Sequence, residues 1–266
     1  FVDAGVFSSD LAFEACKNAL QAADKRPQDI DLIIVGSTTY DDQCPNVASS
    51  LQQRLGAEGC AAMDVNTACT SFLYALSTAT AMIRSGVVRT ALVAGGERIS
   101  PFLDWNDRNV AVLFGDGAGA VVLKADTEAG ILSTHLHSDG GKKELLICPV
   151  GPSKGFDIGA PNAGVKILMA GSEVYKHAVK ALDSVVDETL HANGLSKADL
   201  DWLIPHQANL RIIEATAKRL DMSMDQVIVT VDKTGNTSSG SVPLALDEAV
   251  RSGKIQRGQL MLLEAF

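Results

Sequence analysis

One half of the chain repeats in the other, and that repetition limits the fold more than any other feature. "DIDLIIV" near Asp31 returns as "DLDWLIP" near Asp201, "VASSLQQRLG" as "NLRIIEATAKRLD", and the run before Cys69 as "QVIVTVD". "SFLYALSTATAMIRSG" returns as "SVPLALDEAVRSG", and "TALVAGGE" as "QLMLLEAF". Amphipathic stretches of helical period alternate with short β-branched runs, the pattern of buried strands. A helix is predicted from Ser8 or Ser9 to about Asp24, stopped by Pro27, and another from about Pro45 to Leu55, closed by Gly56. Such alternation implies a layered α/β fold with helices on both faces of each sheet. The repeat divides the chain into halves at residues 1–125 and 126–266.

The register of the repeat places candidate residues. An offset of 167 carries Ser85 onto Ser252 in the two RSG turns, and the same offset carries Cys69 onto Asn236. Between the DID and DLD runs the offset is 170, which sets His206 opposite Gly36. Cys69 and Asn236 are thus expected at equivalent helix entrances, with His206 on a strand-to-helix loop. The first half shows no counterpart of "GILSTHLHSDG", and the second has none of "VLFGDGAGAVVL". On that pattern the chain reads as trimmed at both ends.

Composition narrows the function classes. With 46% hydrophobic and 21% charged residues the chain is ordinary globular protein. No apolar run reaches the length of a membrane helix, so membrane insertion is not expected. A net charge of -9 argues against nucleic acid as the partner. Cys16, Cys44, Cys60, Cys69 and Cys148 form no C-x-x-C pair, which suits a reducing cytoplasm better than a disulfide framework or a metal site.

Cys69 opens a long apolar helix, and a helix N-terminus can lower a thiol pKa by about a unit or more. Taken alone it reads as a small buried hydrophobe. Likewise His206 alone is a core histidine and Asn236 a helix cap. Together the three supply a nucleophile and two hydrogen-bond donors: a neutral imidazole and an amide can both hold a developing oxyanion. "GDGAGA" lacks the lysine and following helix of a phosphate loop and reads as a tight turn. His135 and His137 alternate on one face, with a structural role; His177 and His191 are assigned nothing.

"DVNTACTSF", "FGDGAGA", "IPHQANLR", "GNTSSGSVP" and "LLEAF", in this order, resemble the β-ketoacyl-acyl-carrier-protein synthase III family of the thiolase superfamily. The resemblance implies a thiolase-like α-β-α-β-α fold of two duplicated halves. It also implies a decarboxylative Claisen condensation that initiates fatty-acid synthesis. Cys69 would take the acyl group from acyl-CoA; His206 and Asn236 would hold the malonyl thioester oxygen while carbon dioxide leaves. The acyl oxygen would be held by the Cys69 N–H and by a glycine just beyond the position of Phe266.

Other roles follow from the resemblance alone. Asn209 and Arg211 fall near the pantetheine tunnel, and Arg108 is a phosphate candidate. Arg211, Lys218 and Arg219 make a basic patch for acidic carrier protein or CoA phosphates. Cys44, Phe114 and Phe266 belong to the acyl pocket. Cys44 stands where some acetyl-preferring members carry a phenylalanine that crosses the dimer interface, and the smaller cysteine would leave room for a longer or branched primer. The family implies a homodimer and acyl carrier protein as partner, with CoA thioester as substrate and no cofactor or metal. Two competitors are a specialised-metabolite relative using another acceptor and a non-catalytic acyl-binding relative. Retention of Cys69, His206 and Asn236 together disfavours the second.

Overall fold

The hydrophobic run Leu32–Gly36 is buried along its whole length, which requires cover on both faces. A computed structural model, describing residues 1–128, 130–149, 151 and 166–266, shows how that cover is provided. In chain order the first half comprises α1 (Ser8–Ala22), β1 (Leu32–Gly36), α2 (Val47–Leu55), β2 (Ala61–Val65), α3 (Ser71–Arg84), β3 (Thr90–Glu97) and β4 (Gly117–Lys124). The four strands form one sheet in the order β2-β1-β3-β4, with β4 antiparallel to β3. Ile33, Val35, Leu92 and Ala94 face α1 and α2, whereas Leu32, Ile34, Ala91 and Val93 face the other way.

After a two-stranded antiparallel sheet of β5 (Leu146–Ile147) and β6 (Leu168–Met169), the second half continues with α4 (Gly171–Ala192), β7 (Trp202–Pro205) and α5 (Leu210–Arg219). It ends with α6 (Val231–Thr234), α7 (Ser241–Arg251) and β8 (Met261–Glu264), which pairs in parallel with β7. Leu203 and Leu262 pack with α4 and α5 residues, while Ile204 joins α3 and α7 in the core of the first sheet. The layers are therefore α1 and α2, the four-stranded sheet, α3 with α7, the β7–β8 sheet, then α4 and α5. This is the α-β-α-β-α order that the family resemblance implies. Among the described residues no helix is long and apolar enough to cross a membrane.

Helix ends follow local chemistry. Asn46 caps α2 by accepting from the Ser49 N–H at 2.9 Å, so the helix begins after Pro45, and Gly56 ends it at φ 72°. Two expected strands are not strands. "QVIVTVD" makes a single bridge, Val227 to Leu203, because Gln207 takes over its backbone groups. Gln207 Oε1 accepts from the N–H of Thr230 (2.8 Å) and Val231 (3.0 Å), and its Nε2 donates to the carbonyls of Pro205 (2.8 Å) and Ile228 (3.0 Å). The stretch 131–139 likewise joins no ladder; Arg84 Nη2 donates to the carbonyl of Leu132 (3.1 Å), and the Tyr74 hydroxyl donates to that of His137 (3.0 Å). "GDGAGA" is not a tight turn either, since β4 already begins at Gly117 and lies against the entrance of α7.

The register of the duplication also needs correction. Ser71 opens α3 and Ser241 opens α7, an offset of 170, and the 3-10 turns Ala68–Thr70 and Ser238–Gly240 precede them at the same offset. The structural twin of Cys69 is therefore Ser239, and that of Asn236 is Asn66. The discrepancy has a simple cause: α3 has 14 residues and α7 has 11, so aligning their C-terminal RSG turns displaces their N-terminal ends by one turn of chain. "NTACTS" over "NTSSGS" gives the correct alignment.

Because Gln207 is fully buried and serves four backbone groups, Gln207→Leu should cost about 3 kcal/mol or more. Urea denaturation checks this: the midpoint should fall at nearly constant slope. A midpoint within error of wild type would show that these groups find other partners.

Candidate active site

Parallel strands that end at helix entrances collect functional groups at their carboxyl ends. Here β1 ends at Gly36, against the first residues of α3, and Gly95 near the end of β3 lies against the turn Ser238–Gly240. A Cβ on Gly36 would meet the Ser71 carbonyl carbon at 2.6 Å, and one on Gly95 the Ser239 carbonyl oxygen at 2.3 Å. Only glycine permits this approach. The first residues of the turns, Ala68 (φ 52°) and Ser238 (φ 49°), both adopt left-handed backbone. That shared kink turns each chain from extended backbone into helix.

Cys69 lies in the first turn, 9% exposed. Burial pushes its thiol up to about 11, against a lowering hydrogen bond from the Ser238 side chain and a raising influence of the Glu97 charge. The expected lowering by the helix N-terminus is thus not what prevails; removing water from the sulfur costs the thiolate more.

Asn236 is held by backbone on both sides. Its N–H donates to the Leu113 carbonyl (2.8 Å), and its carbonyl accepts from the Gly115 N–H (2.9 Å). Phe114, itself buried, forms an isolated parallel bridge with it. The Asn236 Oδ1 accepts from the Ser238 N–H at 2.8 Å. This bond fixes the amide, so Nδ2 is the group left to donate. The turn that carries Ser238 packs against the turn that carries Cys69.

His206 directly follows β7, and its N–H donates to the Glu264 carbonyl at 2.8 Å. The ring is 3% exposed, stands edge-on to Phe266 at 5.5 Å between centroids, and has no hydrogen-bond partner at either nitrogen. Burial lowers its pKa to about 4, so the imidazole is neutral at physiological pH. Two residues before Phe266, Glu264 is buried with neither oxygen hydrogen-bonded, and desolvation raises it to about 8.

The remaining candidates lie further out. Asn209 is the N-cap of α5, accepting from the Ile212 N–H at 3.1 Å. Arg211 and Lys218 are exposed on that helix, but Arg219 is committed to Asp183 at 3.2 Å. Arg108 is exposed in the loop between β3 and β4, and Cys44 is exposed in the loop before α2. His135 and His137 bracket the two oxygens of Glu188 at 2.9 and 2.6 Å, a pairing of the 131–139 stretch with α4.

Glu97 was missed in the sequence. It is fully buried, and its carboxylate accepts from Ser37, Thr38, Thr39, Ser238 and Ser239. The signal for it was an acid closing an apolar strand run, "TALVAGGE", with "STT" and "TSSGS" supplying hydroxyls from both halves.

Comparison with known proteins agrees with this arrangement. The family description 3-oxoacyl-[acyl-carrier-protein] synthase III matches residues 63–140, and its C-terminal counterpart matches residues 190–266. The chain is 65% identical over 259 residues to β-ketoacyl-[acyl-carrier-protein] synthase III of Xanthomonas euvesicatoria pv. vesicatoria, covering 97% of this chain and 79% of the relative. The enzyme of the same name from Xylella fastidiosa is 65% identical over 262 residues, covering 98% and 80%. Among solved structures, 3-oxoacyl-[acyl-carrier-protein] synthase III from Aquifex aeolicus superposes with a TM-score of 0.92 at 38% identity, covering 99% of this chain and 82% of that one. The chain belongs to the β-ketoacyl-acyl-carrier-protein synthase III family of condensing enzymes.

Proposed function

We propose that Cys69 carries the acyl group and that His206 and Asn236 stabilise the enolate in the condensation that starts fatty-acid synthesis. The observation that carries this reading is the state of the three side chains at the strand ends. A buried thiol sits on a turn packed against the turn that follows Asn236, whose amide oxygen is already engaged, and a buried neutral imidazole has neither ring nitrogen hydrogen-bonded.

The sulfur of Cys69 attacks the carbonyl of an acyl-CoA and forms a thioester, releasing CoA. A malonyl thioester on acyl carrier protein then places its carbonyl oxygen between the Asn236 Nδ2 and an N–H of His206. Loss of carbon dioxide puts negative charge on that oxygen, where two donors fixed in a dry site stabilise it without reorganising. The resulting carbanion attacks the acyl-Cys69 carbonyl, and the sulfur leaves. CoA thioester enters as substrate, not as a cofactor. The exposed Arg211 and Lys218 suit an acidic carrier protein, and Arg108 a phosphate; Arg219 contributes less because Asp183 already holds it. A homodimer would bring Cys44 of each chain to the partner's acyl pocket. The reducing cytoplasm is the compartment this chemistry needs, since Cys69 must remain a thiol.

Cys69→Ser should abolish the acyl adduct seen by intact mass spectrometry after incubation with acyl-CoA, while the fold persists. Normal acylation of the variant, or an adduct on another cysteine, would remove Cys69 from the mechanism.

Alanine at His206 or Asn236 should slow decarboxylation by about a hundredfold, on the order of 3 kcal/mol, and acylation much less. Equal loss in both half-reactions would contradict the donor roles. The pH dependence has a defined sign. A histidine titrates near 6.5 when unfolded and at about 4 here, so acidification protonates the unfolded state first. The stability contributed by neutral His206 is complete above about pH 6.5 and is lost as pH falls toward 4. Decarboxylation should accordingly show no histidine titration near 6.5.

Cys44→Phe should shorten the acyl pocket. Each methylene denied burial costs about 0.8 kcal/mol, so a long primer should lose roughly tenfold or more while acetyl-CoA is unaffected. Competition between octanoyl- and acetyl-CoA reads this directly, and an unchanged ratio would take Cys44 out of the pocket.

A further inference from the structure

The two donors assigned to the enolate can act on one oxygen only while the distance between them is held, and each is anchored to a different half. Asn236 is fixed to the first half. Its N–H donates to the Leu113 carbonyl (2.8 Å) and its carbonyl accepts from the Gly115 N–H (2.9 Å). A Cβ on the neighbouring Gly235 would stand 3.1 Å from the carbonyl oxygens of Leu113 and Phe114. His206 belongs to the second half, at the end of β7, with its N–H on the Glu264 carbonyl. The single turn α6 (Val231–Thr234) leads through Gly235 into Asn236, and its N-cap residue, Thr230, makes no side-chain cap.

Gln207 supplies what that helix start lacks. It follows His206 directly and is 0% exposed. Its Oε1 accepts from the N–H groups that open α6, those of Thr230 (2.8 Å) and Val231 (3.0 Å). Its Nε2 donates to the carbonyls of Ile228 (3.0 Å) and of Pro205 (2.8 Å), the residue before His206. N–H groups on one side and carbonyls on the other admit an amide in one orientation, and the four bonds use its full donor and acceptor capacity. Beyond Gln207 the path to Asn236 is stiff: the Thr234 N–H donates to the Thr230 carbonyl (3.0 Å) and the Gly235 N–H to the Val231 carbonyl (3.0 Å). A shift at the Gln207 amide is therefore passed along one helical turn to Asn236.

We infer that Gln207 is a positioning residue for the condensation: it sets His206 and Asn236 in register for the enolate oxygen. The role rests on the donor functions proposed above. Gln207 itself touches no reacting atom; its amide ties the segment that carries His206 to the start of the turn that delivers Asn236. Without the tie each donor keeps its own anchor, Asn236 on Leu113 and Gly115 and His206 on Glu264, but the separation between the anchors is no longer fixed. Preorganised donors lose much of their effect when one of them is misplaced by about 1 Å. Cys69 lies on another turn, Ala68–Thr70, to which none of the four Gln207 bonds runs, so acylation does not depend on this tie.

The test compares the half-reactions on the full chain, well below the melting temperature of each variant. Carbon dioxide release from malonyl-acyl carrier protein reads the first, and acylation by acetyl-CoA, followed by intact mass spectrometry, reads the second. Gln207→Met keeps the length of the side chain and none of its hydrogen bonds; it should slow decarboxylation roughly tenfold to a hundredfold and acylation less than about twofold. Gln207→Glu keeps both acceptor bonds and, protonated as burial favours, one donor bond, so it should recover part of the loss. Added to Asn236→Ala, Gln207→Met should cost decarboxylation only about twofold more, because no spacing between donors is left to hold. Equal loss in both half-reactions, or a factor that multiplies in full with that of Asn236→Ala, shows that Gln207 serves the fold alone and overturns the inference. Should Gln207→Met not melt as a folded protein, Gln207→Glu decides: a loss confined to decarboxylation supports the role, and a loss shared by both reactions, or none, overturns it. Wild-type decarboxylation in His206→Ala and Asn236→Ala sinks the donor roles themselves, and the positioning role with them.

Discussion

Two helix entrances meet over two glycines, and the rest of the molecule is arranged to keep them there. Gly36 ends β1 and pairs with Gly95 of β3, and each lies closer to the backbone of a helix entrance than any side chain would allow. The close approach fixes the spacing between the four-stranded sheet and the layer of α3 and α7. It also brings hydroxyls from both halves onto one carboxylate, Glu97. A buried carboxylate without donors would cost several kcal/mol, so the cage and the contact support each other. Neither half supplies this junction alone.

Desolvation is the common theme of the site. It raises the Cys69 thiol, lowers His206 and raises Glu264, in each case favouring the uncharged form. A dry site suits a reaction whose charge appears only transiently, because fixed donors act there with little competition from water. The thiolate, however, becomes harder to form. On the proposed roles, the same burial would help the enolate and hinder Cys69 as nucleophile.

Much of this was legible in the chain. Gly56 and Asn46 mark the ends of α2 by known backbone chemistry, and β1 is a short, β-branched apolar run of the kind that buried strands carry. The alternation of helix and strand predicted helices on both faces of each sheet, because an apolar strand run must be covered on both sides. What failed did so for tertiary reasons. "QVIVTVD" has strand composition, but a single amide, Gln207, outcompetes a ladder for its N–H groups. The pairing of Cys69 with Asn236 was read from the turns where the helices end, and helices of unequal length do not keep their starts in step. The helix N-terminus predicted a lowered thiol because position along a helix is visible in sequence whereas depth of burial is not.

The paired left-handed residues Ala68 and Ser238 show that the backbone has built the same elbow twice. At the point where one elbow carries Cys69, the other carries Ser239, which is 1% exposed and donates to Gly36 O (2.8 Å) and to Glu97. One elbow aims its side chain at chemistry; the other spends the equivalent side chain on joining the halves. Nothing in the main chain distinguishes the two duties. On the proposed chemistry, a single atom type, sulfur or oxygen, decides which of the two elbows acts as nucleophile, on a local frame that is the same in both.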